Sequence, residues 1–292
     1  MKNDIVLCCI AKKENLYIND FVKYYIDLGI DKIYIYDNND KEEKDILSFI
    51  DKNYIDKVEC FRINDKHFHS MQIFYYNEFY QKYKSTFEWC LFCDIDEFLV
   101  GLKNIKEFLK KDIFKKVNQI RIWMKLFGDD DLIERDMSLP VYDSIKKPVL
   151  KCNNDNYFYG HKFFIRGNMQ NVEIKSAHYA SYKSGERVEQ VLMNGNSFDF
   201  DINFNKPYRN IVLNHYRTKT LKEFCEQKIN RGDAIFENKA IDFKYFFIQN
   251  KITEEKIKWL KKNGYLKKDE TIDPKTLKIT KEKKRWLILM LI

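Results

Sequence analysis

The 292-residue sequence lacks an apolar run of the roughly 18 residues that a membrane-spanning helix needs. It shows no N-terminal signal peptide, because Asp4 and the pair Lys12 and Lys13 interrupt the first apolar segment. It also lacks internal repeats and any recognised nucleic-acid-binding motif, and its aromatic residues are spaced as in a protein core. These absences favour a cytoplasmic protein that binds no nucleic acid.

The seven cysteines lack the regular spacing of a disulfide framework or a zinc site. We therefore expect reduced thiols, as in cytosolic proteins. Cys90 and Cys93 form a single C-x-x-C pair, and on a strand their side chains would point to opposite faces. We predict that both fill the core and that neither binds a metal.

The sequence does contain enough apolar material for a large core, since 45% of its residues are hydrophobic and 16% are aromatic. Its net charge of +8 is concentrated, because residues 251–285 carry 13 Lys or Arg against 6 Asp or Glu, which is +7 and leaves +1 for the rest. An apolar end, 286–292, follows. We predict a single domain over 1–235 and a basic helical tail over 236–292. Such a tail suits the surface of an anionic membrane, and a solvated basic helix is the other interpretation.

Strand-like apolar runs alternate with helical stripes through the first hundred residues, as in a parallel sheet covered by helices on both faces. The predicted strands are 4–10, 33–36, 58–61 and 89–93, and the predicted helices are 16–28, 44–53 and 70–83. Polar clusters at 12–15, 37–40 and 94–97 follow three of the strands. Since ligands bind beyond the carboxyl ends of such strands, the three clusters are expected to form one site.

The second half is less regular. Strands are predicted at 119–125, 162–165, 172–176 and 210–213. Thr220 and Glu223 have capping-box spacing, which predicts the start of a helix that runs to about residue 231.

The run 89–93 delivers two carboxylates, Asp94 and Asp96, to its own end. Two residues apart on a strand, they would project from the same face while Ile95 turns into the core. Paired carboxylates are costly to bury unless positive charge lies between them, and Mg²⁺ or Mn²⁺ carrying substrate phosphates supplies such a charge. The pattern therefore predicts a divalent-metal site for a nucleotide-sugar donor.

Several short pieces, in their order along the chain, resemble glycosyltransferases of the family 92 type and their bacterial relatives in the wider family 2 set. The pieces are 9–15, 29–38, 94–98, Trp123 with 127–128, 214–216, Lys219, and 231–232. The resemblance covers about residues 4–235 and implies an α/β fold of the GT-A type, a Rossmann-like sandwich with a mostly parallel central sheet. It implies a nucleotide-sugar-binding half over 1–125 and an acceptor half over 126–235. Lys13 and the three Asp residues after Gly128 depart from the family pattern.

The resemblance also assigns roles to residues of this chain. Asp94, Asp96 and His215 would bind Mn²⁺ or Mg²⁺, with Asp94 alternatively contacting the ribose of the donor. The other residues expected to contact the nucleotide are Ala11, Lys12, Glu14, Asp37 and Asn38 around the base and ribose, and Arg217 and Lys219 at the diphosphate.

An inverting transferase needs a carboxylate that takes a proton from the acceptor hydroxyl. Asp130, Asp131 and Glu134 are the candidates, because they follow a strand late in the domain, and a solvated acidic turn is the other interpretation. His161 and His178 are candidates to line the acceptor side. His67 and His69 are interpreted as loop residues.

We therefore predict a metal-dependent transferase that moves a hexose from a UDP-sugar to a cell-surface glycan or lipid-linked acceptor, at the cytoplasmic face of a membrane. Two alternatives stay open. Asp94 and Asp96 also resemble the nucleophile and the acid/base of haloacid-dehalogenase-type phosphatases. A non-catalytic peripheral membrane protein that uses the basic tail is the other alternative, and it leaves the paired carboxylates unexplained.

Overall fold

The computed structural model describes residues 3–65, 70–149, 160–194, 197–199, 211–229 and 242–281. The strands of the first half are β1 (Asn3–Ala11), β2 (Lys32–Asp37), β3 (Val58–Arg62), β4 (Phe87–Phe92), β5 (Glu97–Val100) and β6 (Gln119–Leu126). The later strands are β7 (His161–Arg166), β8 (Val172–Ser176), β9 (Tyr179–Tyr182), β10 (Gln190–Asn194), β11 (Ser197–Asp199), β12 (Val212–His215), β13 (Glu270–Ile272) and β14 (Ile279–Lys281). The helices are α1 (Ile18–Leu28), α2 (Met71–Tyr83), α3 (Ile105–Leu109), α4 (Val141–Ser144), α5 (Leu221–Glu223), α6 (Phe243–Phe247) and α7 (Glu254–Lys262).

A large central sheet organises the described chain, with strand order β11-β10-β6-β7-β4-β1-β2-β3 and with β12 and β5 joined beside β6. β3, β2, β1 and β4 are parallel to one another, and β7 is antiparallel to both of its neighbours. The predicted α/β fold with a mostly parallel sheet is thus confirmed. The register pairs Ala11 with Asp37 and Cys8 with Phe92, so the carboxyl ends of β4, β1 and β2 lie side by side.

Hydrophobic clusters cover both faces of this sheet. In β1, Leu7 and Cys9 pack with α1 on one face, while Val6 and Cys8 pack with α2 on the other. Continuous apolar strands are what a sheet buried on both faces requires. Cys90 and Cys93 belong to different clusters, as predicted from their spacing.

The predicted helix 44–53 is wrong. The structure has only a short 3-10 helix, Ile46–Phe49, followed by turns. Side chains compete with helical hydrogen bonding here, because Asp45 accepts from the amide of Leu47 and Asp51 accepts from the amide of Asn53 at 2.8 Å. By contrast, α1 ends as predicted at Gly29, whose φ of 110° is the left-handed conformation that favours glycine.

A third hydrophobic cluster joins the end of β12 to the C-terminal segment. The capping box of Thr220 and Glu223 is present, and α5 continues into a π-helix over Phe224–Ile229. Residues of these turns pack against α6 and α7. The segment predicted as a helical tail therefore contains two helices and the β13–β14 hairpin within 242–281.

Residues 282–292, where membrane attachment is predicted, lie outside the described residues, as do His67, His69 and the predicted helix end near residue 231. Among the residues that are described, no helix is both long enough and apolar enough to span a bilayer.

Candidate functional site

Polar loops that follow β1, β2 and β12 meet at one edge of the sheet. The amide of Lys13, after β1, donates to Oδ1 of Asn39, after β2, at 2.6 Å. Lys219, after β12, lies 3.5 Å from a carboxylate oxygen of Glu14. The sheet thus brings the predicted clusters 12–15 and 37–40 into contact and adds the loop that follows His215.

The third cluster is a tight turn, Asp94–Glu97, which we call the carboxylate turn. The strand before it ends at Phe92, so the prediction that Asp94 and Asp96 project from one face of a strand is wrong. The turn is closed by the amide of Glu97 donating to the carbonyl of Asp94 at 3.1 Å, and the amide of Asp94 donates to Oε2 of Glu97 at 2.8 Å. Ile95 is buried in the core as predicted.

Asp94 binds two protein groups. Its Oδ1 accepts from Nε2 of Gln72 at 2.6 Å, and its Oδ2 accepts from Nζ of Lys162 at 2.9 Å. Lys162 lies in β7 and is buried, so its ammonium depends on this carboxylate for its counter-charge. Burial by itself raises the pKa of Asp94, but Lys162 outweighs burial and the pKa is lowered from its ordinary value.

Asp96 faces a different set of groups. Its Oδ2 accepts from Nζ of Lys228 at 3.0 Å, and its Oδ1 lies 3.4 Å from Nε2 of His215. Burial opposes ionisation, yet Lys228 and His215 hold the pKa of Asp96 well below its usual range. Lys228 also donates to the carbonyl of Arg217. Asp96 is therefore an ionised carboxylate in a nearly closed environment.

Glu97 is the third acid of the turn, and its pKa shifts in the opposite direction to those of Asp94 and Asp96. Burial, reinforced by Asp94 and Asp96, raises its pKa well above the usual value despite the opposing Lys162. Its Oε1 lies 3.7 Å from Nδ1 of His215, and both of these buried atoms lack a hydrogen-bond partner. Burial lowers the pKa of His215, so this imidazole is held neutral between two carboxyl groups.

The donor set of Asp96 and His215 fits a divalent metal. Their ligand atoms are 3.4 Å apart, close to the roughly 3 Å between neighbouring ligands of an octahedral ion bound at 2.0–2.1 Å. Glu97 stands behind Nδ1 of His215, where an orienting carboxylate stands in many metal sites. Asp94 accepts hydrogen bonds from Gln72 and Lys162, and its role as a metal ligand stays a prediction.

A separate group of ligand atoms lies under β2 and β3. Asp37, Asp45 and Cys60 place one ligand atom each within 4.8 Å of one another, the one such trio within the described ranges. Two features argue against a metal there. Arg62 binds Asp37 at 2.5 Å, and burial together with Asp37 raises the pKa of Cys60 to about 12, which keeps the thiol protonated.

The residues predicted to contact the nucleotide are placed unevenly. Ala11 and Asp37 are buried at the sheet edge, Lys12 and Asn38 are partly exposed there, and Glu14 pairs with Lys219. The guanidinium of Arg217 lies 4.0 Å from the ring centre of Tyr245, and its Nε donates to the hydroxyl of Tyr245.

The three predicted catalytic bases lie around what we call the acidic loop, Asp129–Asp131, after β6. Asp130 pairs with Lys147 at 2.8 Å, and the exposed Asp131 pairs with Lys251 at 3.3 Å. Glu134, further along, pairs with Lys222 at the surface. Their catalytic role stays a prediction.

Sequence reasoning missed the two lysines of the site. One signal in the sequence could have revealed Lys228: it lies on the apolar face of a helix. Its position continues the helical spacing of Leu221, Phe224 and Cys225. Lys162 similarly interrupts an aromatic strand. A buried lysine needs a carboxylate partner, and both partners lie in the carboxylate turn.

No known family profile and no curated protein matches this chain. Two solved structures are weakly similar. HddC from Yersinia pseudotuberculosis has a TM-score of 0.32 and 10% identity, covering 56% of this chain and 76% of HddC. The WbbM bifunctional glycosyltransferase has a TM-score of 0.28 and 11% identity, and the match covers 57% of this chain but only 32% of WbbM, about a third of its length.

Proposed function

We propose that this protein is a glycosyltransferase that moves a hexose from a UDP-sugar to a cell-surface glycan or lipid-linked acceptor, with Mn²⁺ or Mg²⁺. The observation that carries the proposal is the carboxylate turn with its surroundings. The turn brings two buried acids, Asp96 and Glu97, and the partly exposed Asp94 beside two buried lysines and a neutral histidine. They converge where the carboxyl ends of parallel strands meet, which is where α/β sheets bind nucleotides.

The charges of this cluster favour a ligand that is itself nearly neutral. Asp94 and Asp96 are balanced by Lys162 and Lys228, and Glu97 holds its proton. An isolated ion entering such a site would leave a buried net charge, which is costly. A divalent cation that arrives with a diphosphate adds little net charge. We therefore expect metal and nucleotide to bind together and each to bind weakly alone.

Asp96 and His215 are the residues that would hold the metal, with Glu97 orienting His215. Once bound, the ion would neutralise charge that develops on the departing diphosphate. Lys228 touches the same carboxylate and is the nearest protein cation for a diphosphate oxygen. Lys219 is next, because its charge also lowers the pKa of Asp96. Both lysines are buried, so they are held in place before the donor binds.

The first test is calorimetric titration of the protein with UDP, with Mn²⁺ and with EDTA in its place. We expect binding that requires Mn²⁺ and weakens at least about 100-fold in Asp96→Asn, since even orienting partners of ligands are worth 10–100-fold. Asp112→Asn is the matched control, because Asp112 is exposed and its ion pair is with the neighbouring Lys115.

If UDP and other nucleoside diphosphates fail to bind wild-type protein in the presence of Mn²⁺, the proposed function is wrong. A phosphoester-hydrolysis assay would then examine the phosphatase alternative. Equal UDP binding by wild type and Asp96→Asn would also reject the proposed site. Where UDP binds as expected, hydrolysis of a panel of UDP-sugars identifies the donor.

A further inference from the structure

Arg121 is a buried cation with no acidic partner among the residues that the structure describes. It lies in β6 opposite Phe163 of β7 and is 6% exposed. Across the described ranges it forms no ion pair. Its Nη2 meets Nδ1 of His161 at 3.2 Å, and its guanidinium lies 5.5 Å from the ring centre of Tyr179. An unpaired buried charge costs several kcal/mol, so this arrangement requires an explanation.

The hydrogen-bonding pattern leaves two donors unused. A guanidinium can only donate, so Nδ1 of His161 accepts and the proton of this neutral ring sits on Nε2. Nε2 of His161 and Nε of Arg121 are both buried and have no hydrogen-bond partner. Buried N–H groups nearly always have an acceptor. Burial, helped by Arg121, lowers the pKa of His161 to about 2, in agreement with the neutral form.

His178 adds a group of the opposite kind. Its Nδ1 donates to the carbonyl of His161 at 2.8 Å, which leaves Nε2 as an acceptor in the neutral ring. The neighbouring Tyr179 is 41% exposed, so the cluster lies near the surface. Lys162 and Asp94 both act on the pKa of His178, which places the cluster beside the carboxylate turn.

We propose that Arg121, His161 and His178 form a subsite for a sugar that carries an oxyanion, a carboxylate or a phosphate. The guanidinium and Nε2–H of His161 would bind the oxyanion, and Nε2 of His178 would accept from a sugar hydroxyl. That this sugar belongs to the acceptor rests on the proposed function, whereas oxyanion binding itself does not. The acceptor would then be an acidic glycan or a sugar phosphate.

The test is calorimetric titration with glucuronate, glucose 6-phosphate, glucose and inorganic phosphate. We expect one of the two acidic sugars to bind and glucose to bind at least about tenfold more weakly, since hydrogen bonds to a charged group are worth about 1.5–3 kcal/mol. Comparing glucuronate with glucose 6-phosphate identifies the oxyanion. Inorganic phosphate binding as tightly as the better acidic sugar would reject the sugar part of the proposal.

Two variants test whether the acidic sugar binds at the cluster of Arg121, His161 and His178. Arg121→Gln is expected to lose the preference for the acidic sugar, while Lys183→Gln, which removes an exposed cation just after β9, should bind within about twofold of wild type. Failure of both acids to bind wild type, or equal binding by Arg121→Gln, overturns the proposal. UDP binding with Mn²⁺ should be unchanged in Arg121→Gln, so failure of the donor site is distinguished from failure of this subsite.

The stability of an Arg121 variant distinguishes a binding role of this residue from a structural one. Since no described residue supplies a counter-charge to this guanidinium, Arg121→Met is expected to unfold at the same urea concentration as wild type or at a higher one. A clearly lower midpoint for Arg121→Met would mark Arg121 as a structural residue and contradict the proposed role. This measurement also gives a result if Arg121→Gln fails to fold.

Discussion

The carboxylate turn and the acidic loop are two groups of three neighbouring acids, each following a strand, yet the fold uses them differently. In the turn, the partly exposed Asp94 and the buried Asp96 each pair with a buried lysine. In the acidic loop, only Asp129 is fully enclosed, and its partners come from the C-terminal segment. An acidic triplet in a sequence therefore indicates a strand end, and its partners decide whether it serves binding or packing.

The acidic loop joins the domain to the last described segment. Asp129 forms a buried ion pair with Lys256 of α7, and its amide donates to Oδ1 of Asn250 at 2.7 Å. Asp130 and Asp131 have φ of 53° and 64°, a left-handed conformation that Asp tolerates better than most residues. The loop is thus bent so that one carboxylate points inward and two point outward.

Lys256→Met should have the largest effect on stability. It leaves Asp129 buried without its partner, and breaking such a pair costs about 3–5 kcal/mol of unfolding free energy. Urea unfolding measures the loss. The exposed Lys258→Met should stay within about 0.5 kcal/mol of wild type. If Lys256→Met is as stable as wild type, the loop does not act as a link between the two segments.

Asp96→Asn should have its main effect on UDP binding. We expect UDP binding with Mn²⁺ to fall at least about 100-fold, while Asp130→Asn and Asp131→Asn bind UDP normally. If either acidic-loop residue is the catalytic base, its variant should lose about 10²–10⁴-fold in transfer rate with UDP binding intact. A loss of UDP binding in Asp131→Asn would remove the distinction between the two acidic groups.

Gly128→Ala should have an intermediate effect on stability. A Cβ at this position would clash with Oδ1 of Asn250, the atom that accepts from Asp129. We expect a loss of about 1–3 kcal/mol, typical of overpacking. The double variant with Asn250→Ala removes the clashing amide and should recover part of this loss. Calorimetric melting of the three variants makes the comparison, and no recovery would locate the strain elsewhere.

The smallest expected effect is on the pH dependence of stability, to which two neighbouring acids contribute with opposite sign. The pKa of Asp96 is lowered by Lys228, against burial, so its stabilising effect exists above about pH 3.9 and disappears as the pH falls. The pKa of Glu97 is raised by burial, so its ionisation costs stability as the pH rises above about 4.3.

Urea unfolding in EDTA at several pH values tests these signs. The deficit of Asp96→Asn relative to wild type should shrink below about pH 4, whereas Glu97→Gln should gain on wild type as the pH rises. The same slope for both variants would contradict the assignment of the proton to Glu97.

Local patterns in the sequence predicted the first four strands of the sheet well. Apolar runs predicted β1 to β4, because strands that are buried on both faces consist mostly of apolar residues. The apolar stripe that ends at Gly29 predicted α1. Nε2 of His215 lies 3.4 Å from Oδ1 of Asp96. Their role as metal ligands stays a prediction.

The partners of the carboxylates could not be predicted in the same way. Lys162 is 68 positions from Asp94, and Lys228 is 132 positions from Asp96, so their pairing depends on the whole topology. Asp94 and Asp96, at the end of the predicted strand 89–93, were also expected to project from one face as on a strand. The period-two pattern gives no sign that Glu97 bonds back to the amide of Asp94. Hydrophobic periodicity does not predict ion pairs between distant residues, nor turns that are closed by a side chain.

The origin of Lys228 has a consequence for how the chain is made. Asp96 leaves the ribosome long before its counter-charge, and Lys228 sits on a π-helical turn beside a cluster completed by α6 and α7. Until that cluster forms, a carboxylate destined for the interior has no fixed cation beside it. We therefore expect this edge of the sheet to be completed late in co-translational folding, after the C-terminal segment has docked.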